Sequence, residues 1–287
     1  MPSQSGPSSR SILLVVVVAA LLTSAVLAPM AYRSTSGPEG SVMVVSIGSS
    51  ISGSSVDEAV AHLRDARTDD SIEAVVLKMD SPGGSAAQSE RLYMAVERTA
   101  AEMPVVSSVQ GMAASGGYYA VAPTDRIFTL PAAEVGSIGV IATAPQDVPA
   151  SYIRSGPDKA SGRTDQTRRE VEELQSAFVE SVLKHRDLNI SRTELEHAKT
   201  YIGMRAVENG LADEIGTTAD AVDYAASEAG LDSYDVVRRE ATPAQGTLLL
   251  EESPNGTVVL SESTDPPYRY YMIVGEPADE VVIYNAS

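Results

Sequence analysis

Three glycine-rich segments, each beside an apolar run, constrain this sequence more than any other feature. They read DSPGG at residues 80–84, ASGGYY at residues 114–119 and GSIGV at residues 136–140. The apolar runs at residues 74–79, 105–109 and 138–141 have the composition of buried strands. Glycine beside a buried strand marks a sharp turn or the close approach of a second backbone. We therefore expect a single cleft, formed by loops at the ends of neighbouring strands of an α/β sheet.

Apolar periodicity along the first half of the chain alternates between strand and helix. A strand at residues 42–47 is followed by a helix at 56–67 that Ser55 caps, and the strand at 74–79 by a helix from Ser85 to about residue 102. This order is typical of a parallel sheet with helices on its faces. Further helices are predicted at residues 168–185, 195–203, 206–209 and 219–229.

The last 45 residues, 243–287, have a different character and are predicted to be a β-rich extension. Residues 248–250 and 257–260 flank the turn sequence SPNG and are expected to form a hairpin. Two more strands are expected at residues 270–274 and 281–284. The extension is interpreted as an appended β element or as a cover over the edge of a sheet.

The N-terminal region contains a segment of transmembrane character. Residues 12–31 carry no charge, and about 20 apolar residues are enough to cross a bilayer as a helix. The alternative is a cleavable signal peptide, whose apolar core is usually shorter. We expect an N-terminal tail (1–11), an anchor (12–31), a tether (32–41), a catalytic domain (42–242) and the C-terminal extension.

Charge and composition exclude several classes of function. A net charge of −18 leaves no basic surface for nucleic acid. Only four of the 21 basic residues are lysine, and the dense carboxylates are typical of a halophilic protein, although an ordinary acidic protein remains an alternative. Without cysteine, thiolate catalysis and disulfides are excluded. The three histidines lack zinc-site spacing, so we expect neither a metal nor a cofactor.

Ser115 is the candidate nucleophile, because it follows a predicted strand at the start of a predicted helix. A serine there exposes its hydroxyl at a turn, and the N–H of Gly116 points into the same space. The alternative is a helix N-cap serine in a small-residue contact. The loop at 80–84 offers free backbone N–H groups for an oxyanion, although the same sequence also forms ordinary turns.

A serine nucleophile needs a base, and no histidine lies in a glycine-rich or strand-end context. A lysine serves when burial holds it neutral. Lys159 lies in the loop IRSGPDKASG beside glycines, whereas Lys78, Lys184 and Lys199 lie in strand or polar helical patterns. The alternative is an ordinary solvated lysine that the adjacent Asp158 keeps protonated.

These segments together resemble the signal peptide peptidase A family of membrane-bound serine–lysine proteases. DSPGG, ASGGYY, GSIGV and SGPDK occur in the family's order, and the likeness continues into GMRAVENGLADEIGT at residues 203–217. It covers roughly residues 42–240. The resemblance implies a Clp protease/crotonase-like spiral of ββα units. It also implies a role for each site residue: Ser115 as nucleophile, Lys159 as general base, Ser137 as the group that orients this lysine, and the N–H groups of Gly83, Gly84 and Gly116 as the oxyanion hole.

The function that the resemblance implies is a membrane-anchored serine endopeptidase. Its catalytic domain would be extracytoplasmic, its substrates hydrophobic peptides such as released signal peptides, and its assembly a ring-like homo-oligomer. Two positions depart from the family pattern. Asp80 stands where Asn is common, and the connection at residues 142–154 is several residues shorter. The alternatives are a crotonase-like acyl-thioester enzyme and an inactive membrane scaffold of the same fold.

Overall fold

The computed structural model describes residue 23, residues 38–143, 155–156 and 163–241, and four short strands of the C-terminal extension. The chain divides into two units, residues 1–39 and residues 40–287, and the second contains the sheet and the candidate site. Within the described residues, no helix has the length and apolar character needed to cross a bilayer. The expected anchor at 12–31 lies outside the described residues apart from Thr23, as does Lys159.

In chain order the described strands are β1 (Gly40–Ile47), β2 (Ile72–Ser81), β3 (Gly83–Ser85), β4 (Val105–Ala114), β5 (Arg126–Thr129), β6 (Glu134–Gly136), β7 (Ile141–Ala142), β8 (Thr200–Ile202), β9 (Glu214–Ile215), β10 (Tyr234–Glu240), β11 (Leu249–Glu252), β12 (Val258–Ser261), β13 (Tyr270–Ile273) and β14 (Ile283–Tyr284). Eight of these strands form the main sheet, in the order β10-β1-β2-β4-β5-β9, with β6 beside β4 and β8 beside β6. All of these pairs are parallel except β6 with β8.

Helices cover both faces of this sheet. The described helices are α1 (Gly53–Thr68), α2 (Ala86–Ala100), α3 (Gly116–Val121), α4 (Thr164–His185), α5 (Arg192–Glu196), α6 (Gly203–Asn209) and α7 (Thr218–Glu228). Alternate residues of β1 face opposite sides: Val45 belongs to the core cluster that includes residues of α1 to α4, and Val44 to the cluster that includes residues of α7. Because both faces are buried, the central strands are almost continuously apolar, as parallel strands usually are.

Three local predictions were wrong: one cap lies three residues earlier than expected, and in the other two cases a longer-range contact or a backbone turn prevails over local pattern. The cap of α1 is Ser52, which forms a capping box with Ser55. The helix predicted at 195–203 is interrupted at Ala198, where φ is +52°, and residues 200–202 pair with β6 as β8. The apolar run at 138–141 is a strand only from Ile141, because Ser137 turns the chain at φ +53°.

An ion pair between a buried arginine and a more exposed aspartate fixes the end of α4 to the residue before β9. The side chain of Arg186 is 5% exposed, and it pairs with Asp213 and donates to the carbonyl of Thr124 at 3.1 Å. Asp213 also accepts from the backbone N–H of Ile127 at 2.7 Å. The buried charge of Arg186 therefore has hydrogen-bond partners, as buried charges require. The pair secures the part of the fold that carries β5 and β9.

The described strands of the C-terminal extension belong to two small antiparallel sheets. The predicted hairpin is present as β11 and β12, and β14 joins it at the other edge of β12. β13 does not join this sheet. It pairs with β3 on one side and with β7 on the other, so the extension reaches back to the glycine-rich segments.

Candidate active site

Ser115 occupies the turn between β4 and α3 in a backbone conformation that few residues other than glycine adopt. Its φ is +52° and its ψ is −119°. Holding a serine there costs about 1–3 kcal/mol, and such residues concentrate at functional sites. Two backbone hydrogen bonds hold it: its N–H donates to the carbonyl of Gly136 at 2.8 Å, and its carbonyl accepts from Tyr119 at 2.9 Å.

The hydroxyl of Ser115 is not used as a helix cap. It makes no hydrogen bond to the N-terminal amides of α3, and instead Oγ donates to the carbonyl of Gly139 at 3.2 Å. The residue is 1% exposed, so this polar group is almost fully buried. Ser115 therefore occupies the N-cap position of α3, but its side chain does not cap the helix. Its hydroxyl faces the loop of the third glycine-rich segment.

The first glycine-rich segment packs directly against the start of α3. A Cβ added at Gly117 would lie 2.7 Å from the carbonyl oxygen of Ser81, which explains why glycine stands there. Gly116 is also buried at the start of this helix. With the contacts of Ser115 to Gly136 and Gly139, the structure brings the three glycine-rich segments together, as predicted.

β3 presents one backbone edge towards the cleft. The N–H of Ile51 donates to Gly83 at 2.8 Å and the N–H of Ser85 donates to Ile51 at 3.0 Å, so these two residues of β3 face Ile51. Because consecutive residues of a strand alternate, the N–H and C=O of Gly84 face the opposite side, where β13 lies. The N–H of Gly83, at φ +100°, donates to the hydroxyl of Ser81 at 3.2 Å.

Ser137 lies on the loop whose next glycine accepts from Ser115. It is half-buried, and its N–H donates to the backbone carbonyl of Lys199 at 2.8 Å, which fixes the loop against the start of β8. Its φ is +53°, so the chain turns at this residue. Ser137 and the carbonyl of Gly139 that accepts from Ser115 therefore lie on one loop.

Two of the described lysines are bound to carboxylates. Lys199 contacts Glu194 at 2.8 Å, which raises the pKa of the lysine, and Lys184 contacts Glu97 at 2.6 Å. Lys199, held protonated by this carboxylate, cannot accept a proton from a serine. Lys78 is an exposed residue of β2. Lys159, the predicted base, lies outside the described residues.

Two of the described histidines, His185 and His197, are engaged away from the Ser115 hydroxyl. His185 is within 2.9 Å of the Tyr93 hydroxyl and 3.3 Å of Glu97, and burial lowers the pKa of this imidazole below its ordinary value of 6.5. His197 is paired with Glu194 at 3.7 Å. Neither ring is hydrogen-bonded to Ser115, whose Oγ donates to Gly139.

Sequence reasoning missed the residues whose backbone atoms hold the nucleophile. The carbonyls of Gly136 and Gly139 accept from the N–H and Oγ of Ser115, and β13 lies beside the edge of β3. The glycine pattern of GSIGV was the available signal for the first two. The pairing of β13 had no local signal, because its partners are more than 120 residues away in sequence.

Comparison with known proteins points to a family of peptidases. A sequence profile for Peptidase family S49 matches residues 97–149 and 153–232, just under half of the chain. A Methanocaldococcus jannaschii protein named as a protease is 35% identical over 193 residues, which are 61% of this chain and 62% of that protein. Over these residues the chain is similar to the peptidase S49 family. The matched residues include Ser115, Ser137 and Lys159, whereas Gly83 and Gly84 precede the first matched segment.

Two further relatives are similar over a comparable length of chain. Protease 4 of Salmonella typhi is 33% identical over 197 residues, 62% of this chain and 32% of that protein. A protein of Enterococcus faecium named as signal peptide peptidase SppA is 29% identical over 197 residues, 62% of this chain and 57% of that protein. The matches therefore span less than two thirds of the length of each of these relatives.

Proposed function

We propose that this chain is a peptidase of the S49 family, a serine endopeptidase whose nucleophile is Ser115. The observation that carries the proposal is the conformation of Ser115: a buried serine at positive φ, on a strand-to-helix turn, with its hydroxyl directed away from the helix it precedes. A serine that served only as a helix cap would bind the helix amides. The match to the S49 profile supports peptide bonds as the target of this hydroxyl.

In the mechanism we propose, neutral Lys159 removes the proton of Ser115 as Oγ attacks the peptide carbonyl. The tetrahedral intermediate places its negative oxygen near the N–H of Gly116, with Gly84 supplying a further donor from the edge of β3. The lysine then gives its proton to the leaving amine, and water hydrolyses the acyl-enzyme by the reverse sequence. Ser137 would orient the lysine, which burial must keep neutral.

The setting of the enzyme is also a proposal. Residues 12–31 would anchor the protein in the membrane, with the catalytic domain extracytoplasmic. Its substrates would be hydrophobic peptides such as released signal peptides, which a relative's name supports. We further propose the Clp protease/crotonase-like spiral fold and a ring-like homo-oligomer for the assembled enzyme.

The test compares three single variants in hydrolysis of a fluorogenic hydrophobic peptide at high salt. Ser115→Ala and Lys159→Ala are expected to lower kcat by about 10³-fold or more, since nucleophile and base act as one unit. Lys199→Ala is the matched control, because its side chain is bound to Glu194 and only its backbone contacts the Ser137 loop. Activity that survives Lys159→Ala in full would exclude this base. An inactive but folded parent protein would favour the scaffold alternative.

A further inference from the structure

The groove beside Ser115 is bounded by two strand edges that face each other. β3 forms one edge and β7 the other, and both pair antiparallel with β13. Since neighbouring strands lie about 4.8 Å apart, the two edges are separated by about 9.6 Å, which is the width of one extended chain. An edge strand with open N–H and C=O groups accepts an extended peptide by strand addition.

The backbone groups that the groove offers can be assigned from the pairing. Gly84 faces away from Ile51 and is the Cα partner of Met272, so these two residues form a hydrogen-bonded pair. By alternation, Tyr271 directs its N–H and C=O towards its partner Ile141 in β7. β13 therefore uses the hydrogen-bonding groups on both sides of the groove.

β13 also lies against the catalytic elements themselves. It contacts α3, which begins at the residue after Ser115, and it contacts α2, which follows β3. A segment that pairs with both edges and touches the helix of the nucleophile occupies the position that a peptide substrate needs. One strand fits between the edges, so the segment and a substrate exclude each other.

We infer that Tyr270–Ile273 is a bound peptide ligand of the chain's own active-site groove, which it closes to substrate. The inference rests on the proposed function, because it assigns this groove to the peptide that Ser115 attacks. It explains why β13 is separate from the sheet that β11, β12 and β14 form within the same C-terminal extension. The extension is thus an intramolecular competitor, and peptides enter when it leaves.

The expected size of the effect follows from tethering. A tethered segment has an effective concentration on the order of 1 mM, and a peptide that binds with a dissociation constant of about 0.1 mM would then fill the groove about nine tenths of the time. Releasing the segment would lower the apparent KM about tenfold. Because saturating substrate displaces a competitor, kcat would not change.

The first experiment breaks the pairing in the full-length protein. The double variant Tyr271→Pro/Met272→Pro removes one N–H on each side of β13. Val259→Pro in β12 is the matched control, because it lies in the same extension but in the other sheet. We expect KM to fall about tenfold in the double variant only, with kcat unchanged. Equal KM values in the parent, the double variant and the control would overturn the inference.

The second experiment traps the segment and does not depend on catalysis. Ala142 and Tyr270 are Cα partners next to a hydrogen-bonded pair, and non-hydrogen-bonded partners lie about 4.5 Å apart, within disulfide range. The chain has no cysteine, so Ala142→Cys/Tyr270→Cys gives a single possible disulfide. Ala142→Cys/Tyr271→Cys is the control, because adjacent residues face opposite sides of a strand.

Oxidised glutathione should close the first pair within one chain and leave the control pair reduced. The cross-linked protein should be inactive and should recover activity when dithiothreitol is added. Cross-linking between chains, no cross-linking, or equal cross-linking in the control would each overturn the inference. So would a cut within Tyr270–Ile273 made by the parent but not by Ser115→Ala, because the segment would then be a substrate. If every variant lacks peptidase activity, the proposed function fails, and the disulfide still reports where the segment lies.

Discussion

The backbone of Ser115 allows a stability prediction whose sign is opposite to the usual one. Ser115→Ala and Ser115→Gly both remove the hydroxyl and its hydrogen bond to Gly139, so they differ only in the Cβ. At ordinary positions alanine is more stable than glycine by about 0.4–1 kcal/mol, because glycine loses more chain entropy on folding. At φ +52° and ψ −119° the Cβ is strained by about 1–3 kcal/mol, and glycine relieves it.

The difference between these two terms makes Ser115→Gly more stable than Ser115→Ala by about 0.5–2 kcal/mol. For a domain of this size that corresponds to a Tm higher by about 1–8 °C. Urea titration and thermal unfolding of the two purified variants, both inactive, measure it directly. Ser89, in the first turn of α2, supplies the control pair, in which the alanine variant should be the more stable. An alanine variant at 115 as stable as the glycine variant, or more so, would refute the claim of strain.

The remaining predictions concern the cleft, the core and the pH response. The methyl group that Gly84→Ala adds would collide with the backbone carbonyl of Ile51, so peptidase activity should fall about 100-fold. Gly48→Ala is the control and should leave activity unchanged, because open space surrounds that position. Arg186→Met removes the cation and donor that Asp213 and the carbonyl of Thr124 bind, and urea titration should show a loss of about 1–3 kcal/mol. The pKa of His185 is lowered in the fold, so the unfolded chain binds its proton first as pH falls through 6.5. The Tm of His185→Gln should therefore fall less than the Tm of the parent between pH 7.5 and 5.5. An equal fall of Tm in the two proteins would contradict a lowered pKa of His185 in the fold.

The parts of the fold that could be predicted from sequence are those where local pattern and long-range packing agree. β1 and β2 are apolar throughout because both faces of the sheet are covered, and the strand–helix order then requires parallel pairing. The glycine at position 117 indicated that another backbone segment comes close, and in the structure that segment is the carbonyl group of Ser81. These signals are carried by residues near each other in sequence.

Other features depend on contacts that no local window contains. Residues 200–202 have a helical pattern, yet pairing with β6 across more than 60 residues makes them a strand. The positive φ values of Ser115 and Ser137 follow from the hydrogen bonds that hold each residue to a distant loop. β13 was expected as a strand, but its insertion between β3 and β7 is decided by two free edges far along the chain. The role of Lys159 stays a prediction from family resemblance.

The central claim is that Ser115 is the nucleophile of a peptidase, and covalent labelling tests it most directly. The full-length protein is treated with a fluorophosphonate, which phosphonylates an activated serine, and the labelled residue is identified by peptide mass spectrometry. We expect one label, on Ser115, which is absent in Ser115→Ala and at least about 100-fold slower to form in Lys159→Ala. Labelling of a different serine, or none in a folded protein whose groove has been opened by Tyr271→Pro/Met272→Pro, would contradict the account.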